Sequence, residues 1–142
     1  MQLFIGGAYA GKRAAIRERL TSPQWHSAYD GEGLEAWRIK VAAGRCLVLE
    51  GWEEWLRAEL ASEPDDDRVR QCMVDELESI QHAESVHGMQ IVLIMLEMGR
   101  GIVPLAAEDR RWRDLAGWLA QDAAARCERV WHVWNGLARS LT

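Results

Sequence analysis

Lysine is scarce in this chain: of 17 basic residues only Lys12 and Lys40 are lysine, the remainder being arginine. Those arginines alternate with acids, and the formal net charge is -5. A broad basic surface is therefore absent, which excludes nucleic acid as the partner. Cysteine is scarce too. Cys46, Cys72 and Cys127 are odd in number, far apart and in no metal-ligand spacing, which excludes a disulfide scaffold and points to a reducing cytoplasm. Long apolar runs are missing: the longest, Ile91-Val92-Leu93-Ile94-Met95-Leu96, is strand-sized and falls far short of the roughly 20 residues of a membrane span. No basic leader precedes an apolar signal core. No internal repeat or linker divides the 142 residues, and that length suits one compact domain, 1–142, that needs neither disulfide nor structural metal.

Tryptophan, by contrast, is abundant, at positions 25, 37, 52, 55, 112, 118, 131 and 134. Most of these rings are expected in the core, Trp112 and Trp131 among them. Trp52 and Trp55 suit either core packing or stacking on a flat ligand.

The segment Ile5-Gly6-Gly7-Ala8-Tyr9-Ala10-Gly11-Lys12-Arg13 follows the apolar opening Leu3-Phe4 and precedes a helix-like run. It reads as strand, phosphate-binding loop and helix. Gly6 and Gly11 bracket four residues and Lys12 follows, as in G-x-x-x-x-G-K, but Arg13 stands where a serine or threonine belongs. The glycines let backbone N–H groups and the helix N-terminus face a phosphate, while a lysine reaches the outer phosphates as a flexible point charge. The missing hydroxyl normally touches Mg²⁺, so the motif supports nucleotide binding better than catalysis.

Beyond the loop, the pattern predicts strands at 2–5, 24–29, 46–49, 89–96 and 129–134. Helices are expected at 12–20, 34–43, 52–60, from the acidic turn at 62–67 to about 86, and again up to about 126. A turn falls at Asn135-Gly136. The near-continuous apolar run 91–96 suits a parallel strand buried on both faces. Strands alternating with helices give a doubly wound, mainly parallel α/β sheet of the P-loop type.

In such a fold the second essential element is an acid at the tip of a neighbouring strand, which holds Mg²⁺ directly or through water. Glu50, directly after Cys46-Leu47-Val48-Leu49, is the first candidate for catalysis and metal. Its alternative is an acid that opens the next helix, where Glu53 and Glu54 are read as exposed. Glu97 ends the later strand in the same way and leads into a loop in which Gly99 and Gly101 flank Arg100. That loop allows either close approach of a ligand or a sharp turn.

Glu97-Met98-Gly99-Arg100-Gly101-Ile102-Val103-Pro104, followed by Arg110-Arg111-Trp112-Arg113-Asp114-Leu115-Ala116-Gly117 and Gln121, resembles the C-terminal half of the bifunctional adenosylcobinamide kinase and adenosylcobinamide-phosphate guanylyltransferases. Gly6-Gly7-Ala8 to Gly11-Lys12 is similar to that family's loop, and Leu47 to Glu50 to its second catalytic strand. The resemblance implies a kinase that phosphorylates the aminopropanol hydroxyl of adenosylcobinamide from ATP or GTP with Mg²⁺, in cobalamin nucleotide-loop assembly. It implies GMP transfer through a guanylylated histidine as a second step, and a trimer. By this resemblance residues Gly6, Gly7, Ala8, Tyr9, Ala10, Gly11, Lys12 and Arg13 hold nucleotide and Glu50 serves Mg²⁺. Glu97, Gly99, Gly101, Arg113 and Asp114 lie beside nucleotide or corrinoid. The chain departs from the pattern at Arg13, at Ala10, at Ala120 and in a shortened region before Glu50. There Arg38-Ile39-Lys40-Val41-Ala42 puts alanine where the histidine is required, which places guanylyltransfer in doubt. The four histidines, His26, His82, His87 and His132, are read as surface or strand-packing residues. A nucleotide-binding relic that serves another corrinoid enzyme is the alternative.

Overall fold

A computed structural model of the chain describes residues 1–98 and 104–142. Its strands are β1 (Gln2–Gly6), β2 (Gln24–Ser27), β3 (Cys46–Glu50), β4 (Gln90–Leu96), β5 (Arg129–Trp134) and β6 (Leu137–Ser140). They form one sheet in the order β2-β3-β4-β1-β5-β6. The first five are parallel, and β6 runs antiparallel to β5. The helices are α1 (Lys12–Arg19), α2 (Trp52–Ser62), α3 (Asp66–His87) and α4 (Ala107–Arg126).

Strand alternation splits the core between the two faces of the sheet. Leu47, Leu49, Ile91 and Leu93 point to the side covered by α2, α3 and α4, where Trp52, Met73, Leu77, Leu115 and Leu119 meet them. Val48, Val92 and Ile94 point the other way, with Phe4 and Val133, onto Ala15 and Ile16 of α1. Helix α1 buries only these two residues, and Leu20, Trp25 and Trp131 complete the cover of its face of the sheet. From β1 the chain moves to β2, β3 and β4 on one side and then crosses to β5 on the other. The end of β1 thus lies at the switch point where such sheets place ligands.

Three elements differ from the sequence reading. The strand expected at 24–29 stops at Ser27, and Ala28–Asp30 is a 3₁₀ turn capped by the Ser27 side chain. Residues 34–43 do not make an α-helix: Leu34–Lys40 is a run of 3₁₀ turns. Only Trp37 is buried there, and one anchor gives no apolar face to hold a longer helix. Leu137–Ser140 forms an additional strand. Asn135 and Gly136 both have positive φ, 48° and 73°, as a two-residue hairpin turn requires, and they fold β6 back on β5. Trp37, Trp52 and Trp55 are core residues, whereas Trp118 and Trp134 are exposed.

Candidate functional site

The loop between β1 and α1 is braced on both sides by backbone. Glu97 N–H donates to Gly6 O at 2.8 Å and Gly136 N–H donates to Ala10 O at 2.8 Å. Gly6 lies so close to β5 that a Cβ would sit 2.4 Å from Val133 O. Gly11 has φ +89°, and a Cβ there would lie 2.9 Å from Gly136 Cα. The two motif glycines are therefore dictated by close approach and by left-handed backbone. Tyr9, at the exposed tip, also has positive φ.

Helix α1 starts directly after Gly11 with no side-chain cap and no acid in its first turn. Its free N–H groups therefore lack an anion of their own. Lys12 folds into the crook of the loop, its Nζ donating to Gly7 O at 2.6 Å and to Gly6 O at 3.1 Å. Burial pushes the Lys12 ammonium below its ordinary pKa, while the charges of Glu53 and Glu97 oppose that shift. The ammonium is thus partly desolvated and has no anionic hydrogen-bond partner among the described residues.

Glu50 ends β3 and is 2% exposed. Arg13 holds it with a two-point fork: Nε donates to Oε2 at 2.8 Å and Nη2 to Oε1. The guanidinium carbon also stands 5.3 Å from the Trp25 ring centroid, and that of Arg17 5.4 Å from the same ring. Residues 8–14, Arg17, Tyr29, Glu50, Ile94 and Leu96 enclose a cleft of about 770 Å³ above this pair.

A Mg²⁺ ion shared between residue 13 and Glu50 does not fit these side chains. Arginine offers no lone pair, and its fork engages both carboxylate oxygens. Among the described residues no group of three or more histidine, cysteine or acidic side chains is placed to hold a metal ion.

Two residues of this neighbourhood escape the sequence reading. Tyr29 lines the cleft, and its hydroxyl donates to the carboxylate of Glu53, at 3.1 Å to Oε2 and also to Oε1. Burial, then the bond to Glu53, raises the phenol pKa. Glu53 is itself buried, in contrast to its expected exposure, while Glu54 is exposed. The sequence signal is position: Glu53 lies three residues beyond Glu50, in the first turn of α2.

The remaining sequence candidates are scattered. Glu97 reaches His132 Nε2 at 3.1 Å. Arg113 and Asp114 sit on α4, 3.4 Å apart, with that helix packed on the face of the sheet opposite α1. Gly99 and Gly101 lie outside the described residues. Of the other histidines, His26 is fully buried, with Nε2 2.7 Å from Gly33 O. Its Nδ1 is 3.2 Å from Glu32 Oε2 but is not aligned for a hydrogen bond. His82 and His87 are exposed on α3, near its junction with the amino end of β4.

Comparison with known proteins supplies an independent line. Residues 16–141 match the family described as cobinamide kinase / cobinamide phosphate guanyltransferase. Over 137 residues the chain is 34% identical to the bifunctional adenosylcobalamin biosynthesis protein CobP of Pseudomonas aeruginosa, which covers 96% of this chain and 76% of the relative. It is 35% identical over 73 residues to CobU of Escherichia coli, and 33% identical over 69 residues to CobU of Salmonella typhimurium. Those two alignments span about half of this chain and 40% and 38% of the respective relatives.

Proposed function

The chain belongs to the cobinamide kinase / cobinamide phosphate guanyltransferase family, and on that premise we propose that it transfers the γ-phosphoryl group of ATP or GTP to the aminopropanol hydroxyl of adenosylcobinamide. The hydroxyl oxygen bonds to the γ-phosphorus, the bond to the β-phosphate oxygen breaks, and the nucleoside diphosphate and a proton are released. The single observation that carries this reading is Lys12. Its ammonium is partly desolvated in the crook of a glycine-bounded loop, at the switch point of the sheet, with no acid hydrogen-bonded to it among the described residues. Phosphoryl transfer asks mainly for positioning and for neutralisation of charge on the transferred group. Lys12, the α1 N-terminus and Arg13 supply both, and no step is assigned to a divalent ion. Glu97 with His132, and Arg113 with Asp114, remain candidates for contact with the corrinoid. Residues 1–142 act as one nucleotide-binding domain in this reading, in the cytoplasm and as the trimer that the resemblance implies.

Guanylyltransfer needs a histidine nitrogen at the α-phosphate. Alanine stands at position 42, where the resemblance requires that histidine; His26 is buried, His82 and His87 lie on α3, and His132 is paired with Glu97 through Nε2. The kinase step alone is therefore assigned. The tie between Arg13 and Glu50 favours a second reading, a nucleotide-binding relic that supports another corrinoid enzyme, because both Glu50 oxygens already accept from Arg13. Incubation with adenosylcobinamide and either nucleotide, followed by mass spectrometry, separates the two. A product heavier by one phosphate supports the kinase, and nucleotide binding without that product supports the relic. A GMP adduct on the protein would overturn the restriction to the kinase step.

A further inference from the structure

We infer that Arg13 takes the place of the metal, so that the Arg13–Glu50 pair lets the loop bind a nucleoside triphosphate without Mg²⁺. This rests on the nucleotide reading of the loop and concerns its charge balance. Arg13 is the second residue of α1, Glu50 is the last of β3, and both line the cleft that the loop opens into. In a P-loop the two positions would share a cation through a hydroxyl and a carboxylate. Here the cation is built in. The fork between Arg13 and Glu50 uses two of the five guanidinium donors, leaving donors for phosphate oxygens.

Three features make the substitution hold. Glu50 is 2% exposed, so releasing it from Arg13 to coordinate a metal would first leave a buried carboxylate unpaired, at substantial cost. Trp25 lies against both Arg13 and Arg17, which fixes the guanidinium before any ligand arrives. Of the described charged residues lining the cleft, Lys12, Arg13 and Arg17 are cationic and only Glu50 is anionic. The described lining therefore carries two positive charges in excess, a balance that favours a polyphosphate even with Glu53 and Glu97 acting on Lys12 from nearby.

The test is isothermal titration of the full chain with GTP and with ATP, each in excess Mg²⁺ and in excess EDTA. The wild-type dissociation constants are expected to agree within about threefold between the two conditions. Arg13→Ser restores the hydroxyl and frees Glu50, so its binding should be at least about tenfold weaker in EDTA than in Mg²⁺. Wild-type binding that is itself tenfold weaker in EDTA overturns the inference and leaves the nucleotide reading intact. An Arg13→Ser variant that ignores Mg²⁺ also overturns it. Binding in neither condition overturns the nucleotide reading and the inference with it. If circular dichroism shows Arg13→Ser unfolded, Arg13→Gln repeats the comparison, since it keeps most of the side chain's length but removes the charge that stands in for the metal. The wild-type ratio decides independently of either variant.

Discussion

Adding one methyl group to different glycines of the same loop should have very unequal consequences. At Gly11 the backbone φ of +89° lies in the left-handed region, where alanine costs about 1–2 kcal/mol. The new Cβ would sit 2.9 Å from Gly136 Cα and 3.2 Å from Gly136 N. It would press on the hairpin turn whose N–H donates to Ala10 O at 2.8 Å. Overpacking of that kind costs about 1–3 kcal/mol, giving a total of about 2–5 kcal/mol for Gly11→Ala. For a chain of this length each kcal/mol lowers Tm by roughly 3–5 °C, so the melting point should fall by roughly 6–25 °C. Gly7→Ala is the internal control. A Cβ at Gly7 meets no described atom within 4 Å, and its effect on stability should stay within about 0.5 kcal/mol. Thermal unfolding followed by far-UV circular dichroism measures both variants. Equal melting points for Gly7→Ala and Gly11→Ala would refute the account of why this loop needs glycine at one position and tolerates a side chain at the other.

Thiol chemistry offers a second check. Burial pushes the Cys46 and Cys127 thiols up to about 11, so near pH 8 only on the order of one in a thousand is thiolate. Cys72 is also raised, by burial first, but it is exposed. A disulfide reagent should therefore label one thiol per chain quickly in the native state and all three cysteines after denaturation; three fast thiols in the native protein would contradict the packing around β3 and the end of α4. His26→Ala should cost about 2–4 kcal/mol in urea unfolding. It removes a fully buried ring that stacks on Trp55 at 5.5 Å and bonds to Gly33 O, and a loss below about 0.5 kcal/mol would be inconsistent with that role. Trp55→Phe should cost about 1–2 kcal/mol by removing the 2.8 Å bond from the indole N–H to Glu32 O, an effect that the same unfolding curves would reveal.

What could be read from the sequence follows from the range over which each feature is encoded. The run 91–96 announces a buried parallel strand because both faces of β4 need apolar side chains. Gly6, Gly11 and Lys12 announce a loop because the turn chemistry is local. The pairing of Arg13 with Glu50 spans 37 positions and depends on how α1 sits over β3, which no local pattern records. Glu53 opens an amphipathic helix and so resembles any solvated first-turn acid, yet Tyr29 from the segment after β2 closes over it. The strand β6 is four residues long with a mixed pattern, and its only advance notice was the Asn135-Gly136 turn.

The central claim is that this loop phosphorylates a corrinoid through Lys12. Its most direct test is the initial rate of phosphoryl transfer to adenosylcobinamide, measured with ATP and with GTP for the wild type and for Lys12→Ala at matched folded concentration. The account predicts measurable product from the wild type and a rate at least about 100-fold lower for Lys12→Ala. Transfer by Lys12→Ala at the wild-type rate, or no transfer by either protein, would contradict it.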